Sequence, residues 1–563
     1  MIPTVWGSAL NRTTVEPGTP VPADGPPAHV TASSPWRTPV NAVMAAAAVL
    51  ALGLRLYQFT RPGYLLGVTE YDDGSYFGSA VYLLRGMLPY RDFIFVQPPG
   101  ITLLMVPAAL LGKVAGTAAG MTAGRVLTAL ASAAGVVLLG LLVRHRGVLT
   151  TLIACGMLAV FPDSVAAAHT VLVEPWLVLF CLAGAVAVFD RDQLASGRRL
   201  VWGGVALGFA GAVEGWAIIP VAVIFVLSVR RIRRAAAFAA GVAAGFLVPV
   251  APFAALAPAR FYQGLIVAQI APRAAAVRVR GWIRVREMTG LSDLSPASHA
   301  NLLIRGLHLA QEPVVTVVAV VLAAVVLIGP AAATLLTHHP PTSLEWFALV
   351  TTVGVTGMFL WPSQFYYHFS AFLAPFLSLA VALPVGRLIG ALRLAPPGQP
   401  GGTGQALQQL AIGLAGLVIV VCAFIQVGAE SRLQPYTTTA TIASVERDVP
   451  AGSCVGTDSV SALVLANRFV SDVPGCGPIL DGRGADIALS AGRMPGTGAG
   501  SSPAVTRVWW QEFSHAQYIW LTPKNARRVA WSAGLRAYFA SHFAPLLSDP
   551  AGDVLYQRQR SGG

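Results

Sequence analysis

Apolar stretches of about 20 residues recur between residues 40 and 428, each long enough to cross ~30 Å of hydrocarbon as a helix. They predict spans at residues 40–57, 99–115, 125–143, 150–161, 173–189, 201–229, 235–256, 314–336, 346–361, 369–389 and 407–428, about eleven in all. Arginines gather at the ends of these stretches: Arg144 with Arg146, Arg198 with Arg199, Arg230 to Arg234, and Arg387 with Arg393. Such clusters anchor the cytoplasmic ends of spans. A literal alternation of sides puts Arg144, Arg146 and the 190–199 loop outside, against that rule. Treating 99–115 as a re-entrant helix and dividing 201–229, where Glu214 lies between Gly211 and Gly215, puts every cluster inside. The N-terminus is then inside, and segments 58–98, 163–172 and 258–312 lie outside with the C-terminal region.

Residues 430–563 change character. The run Gln517-Tyr518-Ile519-Trp520-Leu521 reads as a strand, and helices are predicted around 459–469 and 526–542. Residues 1–39 hold eight prolines and no leading apolar run, which predicts a disordered cytoplasmic tail rather than a cleavable signal. A Pro/Gly stretch at 395–404 predicts a cytoplasmic loop between spans. The expected architecture is an all-α polytopic membrane domain over 40–429, followed by a small extracytoplasmic α/β domain over 430–563.

Composition agrees: 55% of the 563 residues are hydrophobic, 11% are charged, and the mean hydropathy is +0.65, a balance that water could not solvate. The net charge of +13 resides in the span-end arginines, without interleaved aromatics on a polar segment, so no nucleic-acid partner is expected. Cys155, Cys181 and Cys422 lie in apolar runs and read as inert thiols. Cys454 and Cys476 lie in the polar C-terminal region, where they pair as a disulfide if it faces an oxidising compartment and stay free thiols otherwise.

Carboxylates are scarce, so the cluster after the first span is informative. Glu70, Asp72 and Asp73 fall within four residues, and neighbouring like charges raise one another's pKa. They predict a base, a metal site or a cationic partner; the alternative is a turn capping the following helix. The loop continues through Leu88-Pro-Tyr-Arg-Asp, with Arg91 and Asp92, to Gln97-Pro98-Pro99 at the return to the bilayer.

The order of first span, acidic pair, small-residue helix, Tyr-Arg-Asp and Pro-Pro resembles the GT-C superfamily of membrane glycosyltransferases, especially relatives of protein O-mannosyltransferases and lipid A aminoarabinose transferases. Asp72-Asp73 stands where those commonly carry Asp-Glu, and Gln97-Pro98-Pro99 where they carry His-Pro-Pro. Glu174, after a polar group ending in His169, lies where the family often has a second acid. Glu214 replaces a Lys frequent in the family, which removes a phosphate ligand there. The segment with Gln269, Arg273, Arg278 and Arg280 resembles the loop that closes over a lipid donor, and Phe365-Tyr366-Tyr367-His368 resembles a feature of actinobacterial members.

The resemblance implies a multi-pass protein of the bacterial plasma membrane. It implies transfer of a sugar from a polyprenyl-phosphate donor, taken from among membrane lipids, to an extracytoplasmic glycan, lipid or protein acceptor. A carboxylate takes the acceptor proton, with Asp72 first and Asp73 second in order of choice. Arginine suits the departing phosphate, and Arg91 and the arginines from 273 to 286 are the candidates. Glu70, Asp92, Gln97, His169, Glu174, Gln269, Tyr367 and His368 complete the expected substrate-binding set. A divalent metal ion is left open as a cofactor. Two rivals remain at this stage: a transporter or flippase of a lipid-linked substrate, using Glu174 and Glu214 for coupling, and a non-catalytic cell-envelope scaffold.

Overall fold

A computed structural model describes residues 39–270, 279–291, 311–361, 365–392, 402–522 and 528–559. The candidates Arg273 and Arg278 and nearly all of the N-terminal tail lie outside the described residues. Helix α1 (Pro39–Phe59) leads through a loop to the short α2 (Asp72–Leu84), then α3 (Gly100–Ala115) and α4 (Thr117–Val143). Helices α5 (Val148–Val160) and α6 (Pro162–Ala166) follow, the chain bending by 55° between Val148–Val160 and Pro162–His169, where Pro162 interrupts the hydrogen-bond ladder. Then come α7 (Glu174–Val188), a hairpin of β1 (Phe189–Asp190) and β2 (Gln193–Leu194), and helices α8 (Arg198–Val213), α9 (Ile218–Ser228) and α10 (Ile232–Leu256). Four further long helices span Gln311–Thr337, Ser343–Leu360, Phe369–Ala391 and Gly402–Glu430.

Among the described residues seven helices are long and apolar enough to cross a membrane, or eight if the bent pair counts as one span, and three further apolar helices are shorter. The protein is a multi-pass membrane protein. The long 201–229 stretch is divided: Glu214 adopts an extended backbone and its carboxylate accepts the Gly215 N–H at 2.9 Å, ending α8. Helix α3 follows Gln97-Pro98-Pro99 and is followed by Gly116, which lies against Asn467 of the C-terminal domain. Both of its ends lie on one side of the bundle.

Burial sorts the helices. The Phe369–Ala391 helix is apolar on every side and 78% buried, hence central, whereas the last helix is 6% buried and borders lipid. Helices α8 and α10 meet through two small-residue pairs, Gly204 with Gly208 and Gly241 with Gly245. A Cβ at Gly208 would strike the Val242 carbonyl, and one at Gly245 the Val205 carbonyl. This reciprocal GxxxG contact lets the two backbones touch without a hydrophobic drive between them.

Residues 430–563 carry a four-stranded sheet in the order β3 (Val455–Thr457), β4 (Tyr518–Leu521), β6 (Val554–Arg558), β5 (Phe543–Ser548), with β3 parallel to β4 and the others antiparallel. Trp509, Phe513, Ile519 and Leu521 fill the core under its helices. A disulfide joins Cys454 to Cys476, Cα to Cα 5.7 Å. The domain sits on the bundle: Thr117 donates to the Val464 carbonyl at 2.6 Å and the Ala118 N–H to Asn467 at 3.0 Å.

Candidate active site

The two adjacent aspartates occupy different environments because α2 starts between them and the C-terminal domain. Asp73 is fully buried. One carboxylate oxygen receives Arg125 of α4 at 2.8 Å and the Thr170 hydroxyl; the other receives the Gly74 N–H at 2.7 Å and the Ser461 hydroxyl. Arg125 also binds the Leu65 and Gly67 carbonyls at 2.5 and 3.1 Å. With every lone pair in use, Asp73 pins the acidic loop to α4 and to the C-terminal domain.

Asp72 is half-buried, and among the described residues none donates a hydrogen bond to its carboxylate. Burial, then the charges of Glu70 and Asp481, push its pKa up to about 7, against the opposing pull of His368 and Arg483. Glu70 accepts the Tyr71 N–H at 2.9 Å and the Tyr367 hydroxyl at 3.1 Å. Glu174 opens α7 fully buried and meets His368 Nδ1 at 2.6 Å, while its second oxygen has no partner among the described residues. Burial lowers the His368 pKa, but the Glu174, Asp72 and Glu70 carboxylates together outweigh it and lift the imidazole to about 9.

The remaining candidates divide. Gln97 reaches the Tyr76 hydroxyl at 3.4 Å, and Tyr76 in turn feels the Asp72 and Glu174 charges, so it borders the cluster. Gln269 donates to the Val96 carbonyl at 2.8 Å and fastens the segment after α10 to the return loop. His169 stacks on Tyr64 at 5.0 Å with Nδ1 on the Ala166 carbonyl, beside Arg125 and Asp73 rather than Asp72. Arg91 pairs at 2.7 Å with its own neighbour Asp92, which also accepts the Leu88 N–H at 2.7 Å, and the pair closes an exposed turn. Arg280 is exposed at the start of the Gly281–Glu287 helix.

The site includes residues that the sequence reading did not single out. Tyr71 approaches Asp481 at 3.4 Å and accepts the Arg483 N–H at 3.3 Å, while Asp481 caps the Gly482–Leu489 helix. The Arg483 guanidinium lies over the Tyr366 ring and its charge reaches Asp72, although Arg483 belongs to the C-terminal domain. The charged, glycine-rich string Asp481-Gly-Arg-Gly was the available signal. Behind it, a cleft of about 410 Å³ lies between the 90–95 turn and the C-terminal domain, with Phe93, Arg260, Gln263, Arg507 and His515 on its walls. Among the described residues no three His, Cys, Asp or Glu side chains converge as a metal site, and one Glu174 oxygen is already held by His368.

No family model and no curated protein matches the chain. Solved structures do. ArnT from Cupriavidus metallidurans bound to undecaprenyl phosphate superposes with a TM-score of 0.57 at 13% identity, covering 93% of this chain and 98% of that one. Its apo form gives 0.56 at 13% identity, with 92% and 97% covered. The Archaeoglobus fulgidus oligosaccharyltransferase tethered to an acceptor peptide gives 0.51 at 12% identity, covering 92% of this chain and 74% of that one. The chain thus shares the polytopic membrane fold of these structures over nearly its whole length.

Proposed function

We propose that the chain is a membrane glycosyltransferase that moves a sugar from a polyprenyl-phosphate donor to an acceptor outside the cytoplasmic membrane, with Asp72 as general base. The observation that carries this reading is the state of Asp72: a carboxylate that receives no hydrogen bond among the described residues, raised to about 7 by burial, Glu70 and Asp481 against the pull of His368 and Arg483. A base poised near neutrality takes a proton most effectively at that pH. The undecaprenyl phosphate bound to the similarly folded ArnT supports a lipid-phosphate donor.

In the reaction the acceptor oxygen bonds to the anomeric carbon as the bond from that carbon to the phosphate oxygen breaks. Asp72 takes the acceptor proton, and the lipid phosphate leaves as an anion. His368 and Arg483 supply fixed positive charge where negative charge grows. Glu174 keeps His368 protonated, and Glu70, held by Tyr367, raises the basicity of Asp72. Arg273, Arg278 and Arg280 remain candidates for the donor phosphate. The acceptor, a glycan, lipid or protein, arrives from the side of the C-terminal domain, a placement supported by the arginine-rich character of the opposite end.

The test is to incubate purified protein with a panel of radiolabelled polyprenyl-phosphate sugars and follow free polyprenyl phosphate. Release with one sugar, absent in Asp72→Asn, is expected; no release from any donor in the presence of envelope acceptors overturns the reading. Labelling of a cysteine placed at Ser501 checks orientation: it should react in intact cells, and reaction only after lysis overturns the outward placement.

A further inference from the structure

The end of the bundle away from Asp72 holds a second pocket, which the proposed transfer does not use. A cavity of about 600 Å³ opens between the start of α1, the ends of α4 and α7, and the β1–β2 hairpin. Arg144, Arg191 and Arg199 line it together with apolar Leu141, Leu142 and Val186.

Among the described residues the charges there do not balance. Asp190 reaches Arg199 only at 3.4 Å and is 70% exposed. Asp192 is engaged by His145 at 2.9 Å and Arg146 at 2.8 Å. Arg199 also donates to the Val186, Ala187 and Phe189 carbonyls and so closes α7. Among the described residues no carboxylate pairs with Arg144 or Arg191. Like charges gathered in one pocket repel unless an anion joins them.

Arg191 adds an independent observation. It is the first residue of the two-residue turn joining β1 to β2 and has φ +56°. That conformation favours Gly, Asn or Asp and strains an arginine. Helix C-termini account for Arg144 and Arg199, but neither they nor a preference of arginine for one membrane face accounts for arginine at this backbone angle.

We propose that this pocket binds the phosphate headgroup of an anionic phospholipid in the leaflet opposite Asp72. Arg144 and Arg191 meet the phosphate, Arg199 adds charge, and the acyl chains lie along Leu141, Leu142 and Val186. Guanidinium groups suit phosphate through paired N–H donors, and basic pockets between membrane helices take such headgroups.

The test compares wild-type protein with the R144Q/R191N double variant, using native mass spectrometry of lipid retained after exchange into phosphatidylglycerol or phosphatidylcholine. Asparagine suits positive φ, so the substitution at 191 relieves the turn. Wild type should retain phosphatidylglycerol preferentially, and the double variant should retain about fivefold less with an unchanged melting temperature in lipid-free detergent. If the double variant unfolds, R191N alone is read, with about a twofold loss expected. Equal retention of the two lipids by wild type, or undiminished phosphatidylglycerol in the folded variants, overturns the proposal. So does a thermal shift by millimolar inorganic phosphate equal to that by phosphatidylglycerol, which would mark a soluble-anion site.

Discussion

Both ends of the helical bundle hold carboxylates among basic side chains, and the two ends differ in how fully those carboxylates are satisfied. At the end away from Asp72, Glu345 meets Arg387 at 2.7 Å and Arg146 at 3.3 Å, and accepts the Thr342 N–H at 2.9 Å in a capping box. Asp192 is likewise shared by His145 and Arg146. At the other end Asp73 follows the same rule, while Asp72 one residue earlier breaks it. A buried carboxylate held by charged donors holds helices in register. One that lacks donors, with like charges nearby, keeps a proton within reach of neutral pH and can exchange it. The contrast separates fastening from chemistry more sharply than sequence position does.

The largest expected effect tests the fastening side. Asp73→Asn leaves the Arg125 guanidinium buried without its counter-charge, which should destabilise the protein by ~3–5 kcal/mol in detergent unfolding. An unchanged melting temperature with lost transfer would exchange the roles of the two aspartates. Asp72→Asn should instead slow transfer about 100-fold or more, ~2.7 kcal/mol of barrier, without loss of stability. Near wild-type transfer at saturating donor and acceptor would remove Asp72 from the chemistry.

At the far end, Glu345→Gln should lower stability by ~2 kcal/mol and leave turnover per folded molecule unchanged. A turnover defect there would show the two ends to be coupled. The smallest effects are in the pH profile. Asp72 works deprotonated and its pKa is raised to about 7, so transfer should rise through that region. His368 works protonated with a pKa near 9, so transfer should fall as the pH passes that value. His368→Asn removes a charge that holds Asp72 down, so its rising limb should move to higher pH, on the order of tenfold in rate per pH unit of movement when measured at pH 7. A rising limb that stays in place would disconnect the imidazole from the base.

Hydropathy made the spans legible, because lipid-facing helices must be apolar throughout, and Glu214 marked the break between α8 and α9. How many stretches cross was less legible: short apolar helices such as α3 look like spans until their ends are placed. The reciprocal glycines of α8 and α10 went unread because their meaning depends on which helices are neighbours. The acidic loop stood out in the sequence, but its two aspartates could not be told apart. The partners that define Asp73 come from Arg125, Thr170 and Ser461, 52, 97 and 388 positions away. Arg91 looked like a phosphate ligand because nothing in the sequence showed that Asp92, its neighbour, already holds it. Arg483 was missed for the opposite reason, being 411 residues from Asp72 in a region that reads as a separate domain.

The contact between Tyr71 and Asp481 spans 410 positions of chain, and it has a consequence for biosynthesis. While the polypeptide is being made, Asp72 is inserted early and waits, with neither Asp481 nor Arg483 yet synthesised. Until they arrive its carboxylate lacks both the Asp481 charge that raises its pKa and the Arg483 charge that opposes it. The surroundings of Asp72 are therefore complete only once translation has passed residue 483.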